Sequence, residues 1–253
     1  MNRSQEKTSS PLKSDQGPLE RFNTYFELVS ASTRDLIETA FALRYQVYCL
    51  EREFEDPTQK PDGLETDHYD HHAVHSLVIH RPQSEAIGTA RLILPQARAG
   101  SLPIQKLLKK NGLKSTDYFP NDAVAEISRF AISKEFRRRN SDTAPGAVKG
   151  ERHSNLPCLG LIQMLVRQSL ELGVEYWGAV MEPQLLRMLA LMGVRFEPIG
   201  PMVSYHGLRQ PSYCHLPLML RTLALTRPES WTVVTNNGEL MFEPAATDLR
   251  RVA

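Results

Sequence analysis

The stretch Val124-Ala125-Glu126-Ile127-Ser128-Arg129-Phe130-Ala131-Ile132-Ser133 constrains this chain most, because it reads as an apolar β-strand with a carboxylate and a guanidinium inside it. A charge taken out of water without a partner is costly, so other parts of the chain have to neutralise both. The same conflict recurs at Arg44, on a helix with an apolar stripe, and at Arg91 in the strand-like Gly88-Thr89-Ala90-Arg91-Leu92. Matching carboxylates stand in the loop segment Glu65-Thr66-Asp67-His68-Tyr69-Asp70. Arginine suits such a partnership because its planar fork meets a carboxylate through two hydrogen bonds at once. Arg44, Glu65, Asp67, Asp70, Arg91, Glu126 and Arg129 are therefore expected to meet if the fold allows it, lining a pocket wall. Taken singly, each is equally readable as a surface salt-bridge partner.

Periodicity supplies the scaffold. Phe22 to Val29 alternates as a strand does, and Ser32 or Thr33 can cap a helix running to about Leu50 on the stripe Leu36, Ile37, Ala40, Leu43, Val47. Glu55 to Asp70, with Pro57, Pro61 and Gly63, reads as a long loop of the kind that tends to be functional. Ala73 to His80 and Ile87 to Leu94 predict a hairpin across Arg81 to Glu85, and Pro103 to Lys110 a short helix. A basic, aperiodic loop from Arg137 to Ser154 follows the central strand. After it come a helix from about Leu156 to Leu172, a strand at Glu175 to Met181, a helix at Pro183 to Met192 and a strand at Val194 to Ile199. This succession predicts an α/β chain with a mixed sheet and helices on its faces. Residues 1–20 are expected to be a disordered tail and 21–253 one domain, with a C-terminal extension from about residue 215 that holds two helix-like runs of unassigned role.

Charge and cysteine content exclude several classes. Lysine and arginine total 30 against 29 acidic residues, so no overall field draws the protein to nucleic acid, and an anionic partner has to be met by a local patch. Cys49, Cys158 and Cys214 are widely spaced and odd in number, which fits a reducing compartment. No apolar run has the length of a membrane span and the first residues lack a signal-peptide core, so a cytoplasmic location is expected.

In order and spacing the charged blocks resemble the acyl-homoserine-lactone (autoinducer) synthases. The shared pattern is Arg44 with Tyr48, Glu65-x-Asp67-x-x-Asp70, Gly88-x-x-Arg91-Leu92 and Glu126-x-Ser128-Arg129-Phe130. The chain also resembles the long-chain N-acyl amino acid synthases. It is most similar to acyltransferases associated with the PEP-CTERM/exosortase system, through Glu182-Pro183, Gly200-Pro201 and Tyr205-His206-Gly207-x-Arg209-x-Pro211. The resemblance implies a GNAT-like N-acyltransferase fold with a mixed, mostly antiparallel sheet. It implies an aromatic wall of Tyr48, Phe54 and Phe130, with Phe54 near where the family tends to carry tryptophan. It also implies backbone N–H groups of the central strand as oxyanion donors.

Acyl transfer from a thioester to an amine needs a neutral nucleophile, donors for the developing oxyanion and a route for the amine proton. Strand alternation puts Glu126 and Ser128 on one face, where the carboxylate can serve as base and the hydroxyl can steer the leaving thiol or a water, and Arg129 on the other. The competing reading is that Glu126 and Arg129 only close a buried ion pair. Arg137, Arg138, Arg139, Lys149 and Arg152 precede the N-terminus of the Leu156 helix, where an anionic arm can be cradled. The Arg-x-x-Gly-x-Gly pattern of acetyl-CoA users is not cleanly present. An acidic acyl carrier protein is thus the expected donor ahead of acyl-CoA, and a merely solvated basic loop is the alternative. No permanently bound cofactor is expected. His68, His71, His72 and His75 are read as loop and strand-edge residues beside the carboxylates, with no metal site. The expected function is transfer of a fatty acyl group to an amino acid or an amino-acid-derived amine. The alternatives are acyl-homoserine-lactone synthesis from S-adenosylmethionine and a non-catalytic acyl-carrier or ligand-binding module.

Overall fold

A computed structural model describes residues 16–96, 102–119, 123–136, 155–204 and 207–242 of the 253-residue chain. The strands are β1 (Phe26–Ser30), β2 (Ala73–His80), β3 (Glu85–Ile93), β4 (Val124–Ile132), β5 (Tyr176–Met181), β6 (Glu197–Pro198), β7 (Val203–Ser204) and β8 (Leu208–His215). The helices are α1 (Pro18–Tyr25), α2 (Arg34–Tyr45), α3 (Pro103–Lys110), α4 (Leu156–Glu171), α5 (Pro183–Leu191), α6 (Leu216–Thr226) and α7 (Pro228–Val234). One sheet runs β1-β2-β3-β4-β5-β8-β6, with β7 pairing on β8. Every pairing is antiparallel except β4 with β5, whose parallel arrangement needs a long crossover that α4 supplies.

Helices cover both faces. α4 lies across β1, β2 and β3, with α1 and α7 packed on its outer side. Its sequence is apolar nearly all round because sheet and helices bury it on both sides. α2 packs on the opposite face against β2 and β3, through a smaller core that includes Ala40, Leu43, Val47 and Leu77. Thr33 caps α2 by accepting from the Leu36 N–H, as its position suggests.

Three expectations need correction. The alternating segment that begins at Phe22 is helical up to Tyr25, and only Phe26–Ser30 is strand. Pro18 sits in the first turn of α1, and Phe22 packs so tightly on α4 that a Cβ at Gly160 would come within 2.6 Å of its ring. The helix thus begins inside the stretch expected to be tail; residues 1–15 lie outside the described ones. The Val194 to Ile199 strand shrinks to two residues, while β8, unforeseen from sequence, carries eight. Residues 216–242 are integral, since Leu216, Leu220, Leu223, Val233 and Val234 enter the main core.

Candidate active site

Six of the seven charged residues expected to meet do so, and the seventh, Glu126, stays apart from the arginines on the Ile104 N–H. Arg44, fully buried, donates to Glu65 at 2.6 Å and to Asp70 at 2.7 Å. Arg91, 1% exposed, donates to Asp67 at 2.7 Å, to Asp70 at 2.6 Å and, through Nε, to the Ser128 hydroxyl oxygen at 2.8 Å. Arg129 reaches Glu65 at 2.8 Å and Asp67 at 3.5 Å, and pairs with Glu55 at 3.6 Å. The loop holds its carboxylates in place by capping its own short helical turn. Asp67 accepts from the Tyr69 N–H at 2.8 Å while Asp70 accepts from the Asp67 N–H at 2.8 Å, which explains the Asp-x-x-Asp spacing.

Arg129 departs from the expected alternation. Its φ of +50° is left-handed, and the register moves from Arg91↔Ser128 to Thr89↔Ala131, so Ala90 faces two residues of β4. Such a bulge turns the extra residue out of the pleat. Arg129 therefore joins Arg91 on the loop carboxylates instead of pointing to the opposite face, and its guanidinium lies over the Tyr48 ring, 5.3 Å from its centre. The bulge is a feature that strand periodicity cannot announce.

Glu126 is buried at the other end of the same sheet face, and its Oε2 accepts from the Ile104 N–H in the first turn of α3 at 2.6 Å. Gly178, opposite Glu126 on β5, allows this approach: a Cβ there would come within 2.8 Å of the Ile104 side chain. Burial raises the carboxyl of Glu126 to about 8 against the lowering effect of that N–H and of Arg91. Burial also pushes Glu65 and Asp70 upward, but there the hydrogen bonds and charges of the arginines win and hold both at about 2.

β4 and β5 pair only as far as Ile127↔Ala179, and beyond that point a cavity of about 370 Å³ opens between them. Glu126, Ser128 and Arg129 line it together with Asp67 and Arg91, as do Tyr48, Phe54 and Phe130 of the expected aromatic wall. Glu65, Arg44 and Asp70 stand behind the wall as its support. After α2 the backbone widens into a π-helical turn over Gln46–Glu51, which carries Tyr48 to the cavity. Such turns recur at functional sites. Met181, Leu185 and Met188 make an apolar side that the sequence reading did not single out. Nor did it assign Arg52, Glu182 and Arg209 to the site; an arginine in the strand sequence of β8 was the available signal for Arg209. Arg137, Arg138, Arg139, Lys149 and Arg152 lie outside the described residues.

The histidines divide. His68 stacks on Tyr69 in the capped turn, whereas His75 is an inner-strand residue and not a strand-edge one, because β2 lies between β1 and β3. Burial and Arg44 lower His75 to about 4, outweighing Asp70, whose Oδ1 is 3.7 Å from Nε2. Among the described residues no group of three or more His, Cys, Asp or Glu side chains is placed to hold a metal ion, and no helix is long and apolar enough to cross a membrane.

The mixed, mostly antiparallel sheet with helices on both faces is a GNAT-like fold. Residues 43–144 match the acetyltransferase (GNAT) domain family. Among solved structures, the chain is similar to TofI in a ternary complex with an inhibitor and MTA, with a TM-score of 0.58 and 20% identity over 81% of this chain and 99% of that one. It is similar to BjaI, a CoA-dependent acyl-homoserine lactone synthase with SAM and isopentyl-CoA, with a TM-score of 0.55 and 19% identity over 90% of this chain and 97% of that one. It is also similar to FeeM, an N-acyl amino acid synthase from uncultured soil microbes, with a TM-score of 0.53 and 14% identity over 79% of this chain and 97% of that one. At these identities the likeness is one of fold. No curated protein matches the chain.

Proposed function

We propose that the protein moves a fatty acyl group from an acyl carrier protein or coenzyme A thioester to the amine of an amino acid or an amino-acid-derived acceptor. The observation that carries this reading is Glu126, a carboxyl raised to about 8 and facing the cavity where β4 and β5 part. A base of that strength matches an amine that has to lose a proton as it attacks. In this reading the thioester carbonyl sits between the separated strands, against β4 backbone N–H groups that β5 does not occupy. The amine nitrogen attacks the carbonyl carbon, and Glu126 takes its proton directly or through a water. The C–S bond breaks, and the proton that Glu126 took from the amine passes, through a water or the Ser128 hydroxyl that Arg91 orients, to the leaving thiolate, which restores the Glu126 carboxylate. Met181, Leu185 and Met188 offer an apolar lining for the acyl chain.

The donor is the only cofactor-like molecule in this proposal, and the basic stretch Arg137, Arg138, Arg139, Lys149 and Arg152 is its carrier-facing surface. Association with the PEP-CTERM/exosortase system belongs to the same proposal, supported by the sequence around Glu182 and Arg209. A cytoplasmic setting is supported by the three buried cysteines, which form no disulfide. Mass spectrometry of lipid extracts from cells overexpressing the protein tests the reading. N-acyl amino acids are the expected new species. Acyl-homoserine lactones would point instead to an S-adenosylmethionine acceptor, and no new N-acyl species would leave a binding module.

A further inference from the structure

The charges lining the cavity are unevenly spent. Arg91 and Arg129 are each taken up by two or more carboxylates. At the mouth, by contrast, Arg209 and Arg52 share, among the described residues, the one carboxylate of Glu182, at 3.1 Å and 3.9 Å. Both guanidiniums lie over the Phe54 ring, at 5.0 Å and 6.0 Å from its centre. The aromatic face holds them in place and keeps part of the water away, so the Arg209 side chain is only 12% exposed and that of Arg52 35%. Two cations against one anion leave one positive charge directed at a cavity that also contains Glu126.

We propose that Arg209, assisted by Arg52, binds a carboxylate of the acceptor at the cavity mouth, so that the preferred acceptor is a free α-amino acid and not a neutral or cationic amine. The inference rests on the N-acyltransfer reading and narrows its substrate class. One excess charge on a planar fork matches a monoanionic carboxylate, and the split between acceptor and donor kinetics separates it from a singly charged donor phosphate. With the carboxylate held there, the amine is left to point inward toward Glu126 and the thioester.

The test compares acceptors that differ in that charge alone. The full-length protein is given a fatty acyl thioester with a mixture of the common amino acids or with the corresponding amino-acid amides, and N-acyl products are quantified by mass spectrometry. Wild type is expected to favour the acids. Arg209→Ala should lower kcat/KM for the acids by about 10- to 100-fold, the scale of a charge-assisted hydrogen bond, and leave the amides nearly unchanged. Arg209→Lys should restore part of the loss. Equal losses for acids and amides would overturn the proposal, as would a rise in KM for the donor alone, which would assign the charge to a donor phosphate. If wild type acylates nothing, the transfer reading fails, and thermal shifts with the same two mixtures still decide the anion site. Stabilisation by acids but not amides, lost in Arg209→Ala, supports it, and no difference between the mixtures overturns it.

Discussion

Two ends of one cavity treat the same chemical group in opposite ways. At the loop wall, the buried Glu65 and the part-buried Asp70 have two and three cationic or N–H partners and are held at about 2. Across the sheet face, Glu126 is buried too, but it has the Ile104 N–H as its direct partner and no guanidinium bonded to it, and it rises to about 8. Burial alone therefore does not decide whether a carboxyl is charged; the number and nearness of guanidiniums do. The wall is built from permanent ions and gives the site its shape, while Glu126 can gain or lose a proton near neutral pH and is suited to chemistry.

The sharpest way to break this comparison is to remove members of the wall. Asp70→Ala or Arg91→Ala each leaves a buried charge without its partner and should cost about 3 to 5 kcal/mol of stability. The double variant should cost far less than the sum, because the two bonded groups leave together. Denaturant melts of the three variants decide it: additive losses below about 1 kcal/mol each would show ordinary surface charges.

Next in size is Glu126→Gln, which keeps the shape and removes the proton acceptor. Turnover should fall by roughly 10²-fold or more in a protein that still folds and binds thioester. Wild-type kcat/KM should climb with pH toward about 8, as the charged form of Glu126 becomes populated, and the variant should lack that rise. Full activity in the folded variant would remove Glu126 from the chemistry.

Stability against pH should show both ends with opposite sign. Glu65 and Asp70, lowered from 4.5 and 3.8 to about 2, stabilise the fold above their usual values, and that contribution is lost as the pH falls toward about 2. Glu126, raised from 4.5 to about 8, contributes fully below 4.5 and loses its contribution as the pH rises through about 8. Melting temperatures of Glu126→Gln should keep the acid-side fall and flatten the slope between pH 4.5 and about 8. An unchanged alkaline slope would assign it to another group.

The smallest effect is expected in the basic stretch after β4. Replacing Arg137, Arg138 and Arg139 together by Ala should raise KM for carrier-bound donors and weaken its salt dependence, with the saturated rate little changed. Unaltered kinetics with carrier donors would make that stretch a solvated surface.

By itself the sequence determined the membership of the wall. An arginine or glutamate inside an apolar helix or strand has to be neutralised, so Arg44, Arg91 and Arg129 and the loop carboxylates Glu65, Asp67 and Asp70 could be matched before any fold was known. It determined most strands and helices near the site as well, because their periodicities of 2 and 3.6 are local properties. Only the tertiary structure decided which partner each arginine takes and that a bulge turns Arg129 toward the loop, since one inserted residue leaves no mark in alternation. The same holds for α1, where a buried contact with Gly160 overrides an alternating pattern. It holds for Ile104, whose backbone N–H is common to every residue but proline and marks no partner for Glu126 in the sequence. Arg52, Glu182 and Arg209 are far apart in the chain and meet only because β8 returns beside β5, so their shared charge is a property of the folded cavity.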